Sequence, residues 1–269
     1  MDADLFTSAS AALLIAEPEH KCAAAIALAA DWNAGRLALR RGASVTDIRS
    51  PGRPARPRLV HPRELPRRRA GSVTGRAALI HAVAHIEFNA INLALDAVCR
   101  FRDMPADFYS DWLQVGAEEA SHFRLLQRRL AALDHAYGDF DAHNGLWDMA
   151  LRTAHDPLHR MALVPRVMEA RGLDVTPGMI SRFRDLGDAE TAAALEVILA
   201  EEVGHVEAGT RWFHHLCAAR GLEPESTYFD LLKHYLGDDI RCPLHLEARR
   251  RAGFSESELS RLEALCTRS

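Results

Sequence analysis

The feature that most constrains this chain is a motif that occurs twice, as GAEEASHF and as LAEEVGHV. Each copy contains Glu-x-x-His, formed by Glu119 and His122 in the first and by Glu202 and His205 in the second. Residues three apart on an α-helix lie on one face, so each copy can direct a carboxylate and an imidazole to one point. A single copy is weak evidence, but two copies predict two helices that each carry a pair of metal-binding side chains.

The residues around both motifs place the two acids on apolar helix faces. Glu119 shares its face with Val115, Gly116, Phe123 and Leu126, and Glu202 shares its face with Ile198, Leu199, Val206 and Gly209. An apolar stripe of this kind faces the core of a helical protein. A buried carboxylate is costly unless it is paired or bound to a metal. We therefore expect both acids to bind a metal inside a helical core.

Two further acids could complete a set of metal ligands. Glu87 lies in AVAHIEFNAINLAL and Glu169 in LVPRVMEARGL, and they precede Glu119 and Glu202 by 32 and 33 residues. Either interval fits two antiparallel helices joined by a turn. A lone Glu on each of two helices and Glu-x-x-His on each of the others is the ligand pattern of ferritin-like di-iron bundles. The predicted metal ligands are Glu87, Glu119, His122, Glu169, Glu202 and His205.

The acids that precede the motif positions are an alternative. Glu118 and Glu201 share a helix face with the histidine four residues on, and either could replace its neighbour as a ligand. We prefer Glu119 and Glu202 because their three-residue spacing from the histidine matches the ligand pattern of these sites.

Other side chains in the same region also allow two interpretations. His81 and His85 lie one helical turn apart and could bind zinc, although core or surface histidines are the simpler interpretation. Tyr109 and Trp112 could be redox-active or could simply pack in the core.

Helical periodicity covers most of the chain and predicts an all-α fold. We expect long helices to end at glycines, including Gly172, and Pro165 to kink the helix that carries Glu169. The predicted helices span about 17–33, 75–101, 106–135, 157–171 and 189–220, with MISRFRDLG as a further helix and two or three short helices from Pro224 on. The fold class is thus a ferritin-like four-helix bundle (73–222), preceded by an N-terminal helix and a Pro/Arg-rich connector (1–72) and followed by a C-terminal helical extension (223–269).

The connector separates the first helix from the bundle. Residues 50–71 contain five prolines and a high proportion of arginine, which predicts an extended segment that wraps along the domain or is disordered. Arg53, Arg56, Arg58 and the run Arg67–Arg69 could contact the phosphates of RNA. A solvated connector is the simpler interpretation of the same residues.

The cysteines and the N-terminal residues indicate in which cellular compartment the protein works. The five cysteines lack a C-x-x-C pair, so we expect buried free thiols rather than a zinc ribbon or a disulfide framework. The N-terminal residues lack the basic region of a signal peptide, and no run reaches the roughly 18 apolar residues of a membrane span. The sequence therefore predicts a cytoplasmic protein that does not enter a membrane.

The chain resembles a ferritin-like family catalogued as domain-of-unknown-function family 455, from about Leu14 to Tyr235. The resemblance rests on PGRPARPRLV, HAVAHIEFNAINLALDA, DFYSDWLQVGAEEASHF, YGDFDAHNGLWDMA, ALVPRVMEARGLDVTPGMI and ILAEEVGHVEAGTRWF. That family is distantly similar to the di-iron hydroxylases that modify isopentenylated adenosine in tRNA. The resemblance implies a helical bundle with a metal site, and it does not identify a substrate.

These observations predict a di-iron carboxylate protein, with manganese as the alternative metal. By similarity to such proteins we expect an oxygen-activating hydroxylase or oxidase, acting on a small molecule or a modified nucleotide. The electron donor is not indicated. A ferroxidase or iron-handling protein and a non-catalytic metal-containing binding module are the alternatives. A rubrerythrin-like peroxidase is disfavoured because the cysteine pairs for a second iron centre are missing.

Overall fold

A computed structural model describes residues 3–41, 47–66, 70–237 and 241–266. Within these ranges the predicted all-α fold is confirmed. The strands found there are two residues long, Ala3–Asp4 and Leu37–Ala38, and they pair in parallel. The chain forms two compact units, Met1–Leu151 and Arg152–Ser269. The division into an N-terminal segment, a bundle and a C-terminal extension stays a prediction.

The first unit contains four helices that pack together and a fifth that ends at the unit boundary. They are α1 (Leu5–Leu13), α2 (Pro18–Asn33), α3 (Val73–Arg100), α4 (Ala106–Ala131) and α5 (Gly145–Arg152). The α3 and α4 helices form the main hairpin, and α1 and α2 cover it. Ser72 begins α3 by accepting a hydrogen bond from the Gly75 N–H at 3.1 Å, the usual function of an N-cap serine.

The helix predicted at 17–33 matches α2 to within one residue, whereas α1 was not predicted. Its N-cap is Asp4, which accepts a hydrogen bond from the Thr7 N–H at 2.9 Å. The helix includes Thr7, Ser8 and Ser10, residue types that compete for backbone hydrogen bonds and give a weak helical signal. Its burial against α3 compensates for that weak local preference.

The α3 helix is apolar on nearly every face. By length and hydropathy it is the one helix among the described residues that could span a membrane, but 72% of its most apolar window is buried within the protein. A helix that is apolar all round and buried is what the centre of a helical domain requires.

The connector lies along the first unit. Its backbone pairs with the segment that follows α4, since Val60 N donates to Ala142 O at 2.9 Å and Ala142 N donates to Arg58 O at 3.0 Å. A short 3₁₀ turn, Pro62–Glu64, follows. The Arg67–Arg69 run lies outside the described residues.

The second unit contains α6 (Pro157–Leu163), a π-helical segment (Val164–Glu169), α7 (Ala170–Asp185), α8 (Ala189–Arg220) and three shorter helices. These are α9 (Pro224–Leu236), α10 (Leu246–Arg251) and α11 (Glu256–Cys266). The boundaries of α8 match the prediction because both signals are local. Asp188 caps its start, and Gly221 ends it with the positive φ of 65° that glycine adopts without strain.

The predicted helix end at Gly172 is wrong. The α7 helix runs through Gly172 and also through Pro177. Glycine and proline each weaken a helix interior, by about 1 and 3 kcal/mol relative to alanine. Burial of Leu173, Ile180 and Phe183 on α7, which packs against α8, outweighs that cost.

Three smaller expectations had different outcomes. The α4 helix ends at Ala131, four residues earlier than predicted, because the chain turns at Asp134 with a positive φ of 58°. Cys22, Cys99 and Cys217 are buried free thiols as expected. Cys242 and Cys266 instead form a disulfide, which the 24-residue gap between them did not reveal.

Candidate metal centre

Glu87, Glu119 and His122 meet inside the first unit. The α3 helix supplies Glu87 and α4 supplies the other two, and all three side chains are buried. The Nδ1 atom of His122 lies 3.3 Å from Glu87 Oε2 and 3.4 Å from Glu119 Oε2. The three residues each offer a ligand atom within 4.8 Å of the others. They form a buried cluster that could hold a metal ion, and we call it the first half-site.

The charges in the first half-site are strongly coupled. Burial raises the pKa of Glu87 well above its ordinary value, and the negative charge of Glu119 raises it further. Burial alone would lower the pKa of His122, but the two carboxylates outweigh burial and raise it to about 11. Without a metal, the raised pKa values of Glu87 and His122 both favour the protonated forms, which reduces the negative charge of the buried cluster.

One oxygen of the first half-site lacks a hydrogen bond. Glu87 Oε2 is buried and accepts none from the described residues, although His122 lies nearby. Native proteins satisfy nearly all buried polar atoms, and an exception calls for an explanation such as an ion. Carboxylate oxygens and an imidazole nitrogen are the ligands that iron and manganese accept, so the residues present fit such an ion.

The second unit carries the remaining predicted ligands, which we call the second half-site. Glu169 ends the π-helical segment, and Glu202 and His205 lie on α8. All three are buried, with no residue more than 8% exposed. His205 Nδ1 lies 3.7 Å from Glu202 Oε1. The Glu-x-x-His spacing thus brings acid and imidazole together on this helix, as it does on α4.

A π-helical turn precedes Glu169. Pro165 lies at its start, and its ring occupies the space above Gly209 on α8. A Cβ atom at position 209 would lie 2.2 Å from Pro165 Cγ, closer than any real contact. Single π turns inside α-helices are frequent at functional sites. Here the turn and the glycine fit together at the helix that supplies a predicted ligand.

The alternative acids lie at or near the surface. Glu118 is half-buried and accepts a hydrogen bond from Gln114 Nε2 at 2.7 Å, and Glu201 is exposed. The structure therefore buries Glu119 and Glu202 and leaves their neighbours in contact with solvent.

His81 and His85 have partners of their own. His81 Nε2 accepts a hydrogen bond from the Gly138 N–H at 2.9 Å. His85 Nδ1 lies 2.8 Å from the Tyr137 hydroxyl, and burial lowers the pKa of His85 to about 4. Both rings stack on Tyr137. They are core histidines that support α3 from the side of Tyr137.

Tyr109 and Trp112 pack in the core, which was the simpler interpretation. Tyr109 is buried against Phe6, and its hydroxyl donates to Phe101 O at 2.9 Å. Trp112 is buried and packs against Phe108.

A buried lysine in the first unit was not among the residues predicted from the sequence. Lys21 on α2 is fully buried and donates hydrogen bonds to Leu13 O at 2.7 Å and to Asn92 Oδ1. Burial lowers its pKa to about 7. The signal in the sequence was its position directly before the apolar run Cys22–Ala25 on an otherwise apolar helix.

Two similarities place the chain in a family. It matches the family described as protein of unknown function (DUF455) over residues 14–260, and it belongs to that family. It is 45% identical over 213 residues to a protein of Haemophilus influenzae that is described as uncharacterized, a match that covers 77% of this chain and 74% of the relative. No solved structure matches the chain.

Proposed function

We propose that the protein is a di-iron carboxylate protein that activates dioxygen to oxidise or hydroxylate a substrate. Glu87, Glu119 and His122 of the first half-site and Glu169, Glu202 and His205 of the second would hold two iron ions. The observation that carries the proposal is the buried cluster of two carboxylates and an imidazole in the first half-site. The repeated sequence plan extends it to the second.

The donor set supports two divalent ions. Four carboxylates and two neutral histidines together neutralise two ions of charge +2, so the ions can sit in an apolar core. His122 must release its proton to bind a metal, because only the neutral imidazole has a free lone pair. Metal binding and proton release are therefore coupled at this residue.

Ferrous iron bound there would supply the electrons with which dioxygen is reduced. The chain itself contributes the burial that keeps bulk water away from the acids and the fixed positions of the six side chains. Manganese is the alternative metal, since the same ligands accept it. A substrate that is a small molecule or a modified nucleotide, and binding to RNA, stay predictions from the sequence.

Two of the connector arginines named for RNA binding already contact other residues of the chain. Arg58 pairs with Asp141 at 2.6 Å, and Arg53 donates to Pro57 O at 3.3 Å. Both have partners within the chain.

The test is a metal count on protein purified without oxygen and loaded with ferrous iron. We expect two irons per chain by elemental analysis, and a near-ultraviolet absorption change when oxygen is admitted. Glu119→Ala and His205→Ala should each lower the count. Glu118→Ala and Glu201→Ala are matched controls, because they remove the neighbouring, less buried acids, and they should keep two irons.

Two results would overturn the proposal. One is a wild-type chain that binds no iron or a single zinc ion. The other is a Glu119→Ala protein that still binds two irons. If the loaded protein instead oxidises ferrous iron repeatedly and retains the product, the ferroxidase alternative replaces the hydroxylase.

A further inference from the structure

The π-helical segment carries a buried arginine three residues before Glu169. The guanidinium of Arg166 lies between three aromatic rings, 4.8 Å from the ring centroid of Phe213, 4.1 Å from Tyr228 and 4.5 Å from Phe254. Its Nη2 donates to Glu258 Oε1 at 2.6 Å. Both charged groups are at least 97% buried, so this is an ion pair closed off from water.

Glu258 is itself held in place by the first turn of α11. Its Oε2 accepts a hydrogen bond from the Ser255 N–H at 2.9 Å, and its own N–H donates to Ser255 Oγ at 3.0 Å. These two bonds form a capping box. One carboxylate oxygen of Glu258 therefore caps the start of α11, and the other binds Arg166. The position of α11 and the position of the π-helical segment depend on each other for this reason.

A second buried ion pair joins the C-terminal helices to α7. Arg249 on α10 donates to both oxygens of Asp174, at 2.9 Å from Nε and 2.7 Å from Nη2. Asp174 also accepts a hydrogen bond from the His245 N–H at 2.8 Å. The two ion pairs contact the chain on both sides of Glu169. One involves Arg166, three residues before it, and the other involves Asp174, five residues after it. We call Glu258–Arg166 and Arg249–Asp174 the C-terminal clamp.

The helices that supply the clamp are also joined covalently. The disulfide between Cys242 and Cys266 links the loop before α10 to the last residue of α11. Arg171 on α7 donates to Pro243 O at 2.9 Å in that loop. The loop, α10 and α11 are thus fastened to one another and to α7.

We propose that Arg166 and Glu258 are positioning residues that fix the π-helical segment and thereby the carboxylate of Glu169. A π turn is a rare backbone form that persists where surrounding contacts specify it. A buried ion pair adds little net stability over an apolar pair, but breaking it is strongly unfavourable, which suits it to fix a geometry. The C-terminal helices are then part of the second half-site, an inference that rests on the proposed function as far as metal binding is concerned.

Glu258→Gln is the variant that isolates the clamp. Glutamine keeps the volume and can accept the Ser255 hydrogen bond, since capping boxes use Glu or Gln. It removes the negative charge that faces Arg166. Glu225→Gln is the matched control, because Glu225 pairs with Arg261 of the same α11 at 2.9 Å in a partly exposed ion pair.

The first measurement is native-state hydrogen exchange of the metal-free protein. In Glu258→Gln we expect exchange of the amides in 164–169 to rise about tenfold or more, with a smaller change in α8. The second is titration with ferrous iron without oxygen. We expect the weaker of the two sites to lose roughly 10- to 100-fold in affinity, as is usual when a group that orients a ligand is removed. Glu225→Gln should leave both measurements unchanged.

Unchanged exchange in 164–169 would overturn the inference, whether or not the protein binds metal. If the wild type binds no iron, the proposed function fails, and the exchange measurement still decides whether the clamp fixes the segment. The double variant Cys242→Ser/Cys266→Ser gives a second approach should Glu258→Gln not fold. It should raise exchange in 164–169 in the same direction, and no change there would contradict the clamp.

Discussion

The two half-sites are built to the same sequence plan and supported in different ways. In the first, Glu87 lies on a regular α-helix, and His122 contacts both acids at 3.3 and 3.4 Å. In the second, Glu169 lies at the end of a π-helical turn, and His205 is 3.7 Å from Glu202. The repeated motif thus brings an acid and an imidazole together on α4 and on α8, and the helices packed around each unit differ.

The contacts nearest to the acids differ between the units. Near Glu87 they include the hydrogen bond of His85 to Tyr137 and those of Lys21 to a backbone carbonyl and an amide. Around Glu169 they are ionic, in the pairs of the C-terminal clamp.

The largest effect should follow from removal of the lone acid in either half. We expect Glu87→Gln and Glu169→Gln each to reduce iron binding by roughly 100-fold or more, because a lost ligand costs more than the 10- to 100-fold of a supporting residue. Anaerobic titration with ferrous iron measures this. Two irons bound with wild-type affinity by Glu169→Gln alone would show that the second half-site takes no part.

The unfolding free energy of the protein should depend on pH between 7 and 10.5 because of Lys21. The pKa of Lys21 is about 7 in the folded protein and 10.5 ordinarily, so the unfolded chain binds a proton that the folded chain does not. Stability is therefore lost as pH falls from 10.5 to 7, at about 1.4 kcal/mol per pH unit and on the order of 5 kcal/mol in total, and levels off below 7.

The pH effect is measured as the difference in unfolding free energy between Lys21→Met and the wild type. That difference should favour the variant increasingly as pH falls through this window. Lys233→Met is the control, since Lys233 is exposed. A difference that does not change between pH 10.5 and 7 would show that Lys21 keeps its proton in the fold.

Two glycines, one on α8 and one on α4, should differ in how much stability is lost when alanine replaces them. Gly209→Ala should destabilise the protein by about 1–3 kcal/mol, because its Cβ would overlap Pro165 at 2.2 Å. Gly116→Ala on α4 should be neutral or stabilising by up to about 1 kcal/mol, because its Cβ would meet Ala94 at an ordinary 3.4 Å. Urea unfolding compares them. Equal effects would mean that the π-helical segment moves aside at no cost.

The smallest loss of stability should follow from removal of the tyrosine hydroxyl groups that are hydrogen-bonded to histidines. Tyr137→Phe leaves buried His85 Nδ1 without its partner and should cost about 1–2 kcal/mol. Tyr235→Phe removes a bond of the same 2.8 Å length to His159 in the second unit. That pair is partly exposed, so water can replace the hydroxyl and the loss should be smaller. A larger loss in Tyr235→Phe would contradict this.

Local signals made much of the fold predictable. The end of α8 followed from the glycine at position 221, and the bounds of α2 followed from helical periodicity. Burial of Glu119 and Glu202 followed from their apolar neighbours at helical spacing. The helix through Gly172 and Pro177 did not follow, because packing against α8 outweighs local preference there.

The contacts between distant residues could not be read from the sequence. Arg166 and Glu258 are 92 residues apart, and nothing near Arg166 indicates a partner on α11. The π turn itself was not predicted, although Pro165 marked an irregular helix at this position. Lys21 and Asn92 are separated by 71 residues, and the lysine alone suggested only a polar position on an apolar helix.

The fit between Pro165 and Gly209 restricts the order in which related chains can change. A side chain at position 209 has no room while the proline ring fills that space. Replacement of the glycine alone therefore costs stability, whereas replacement of the proline first removes that cost. Relatives that have lost the proline are the ones in which residues larger than glycine should occur at 209.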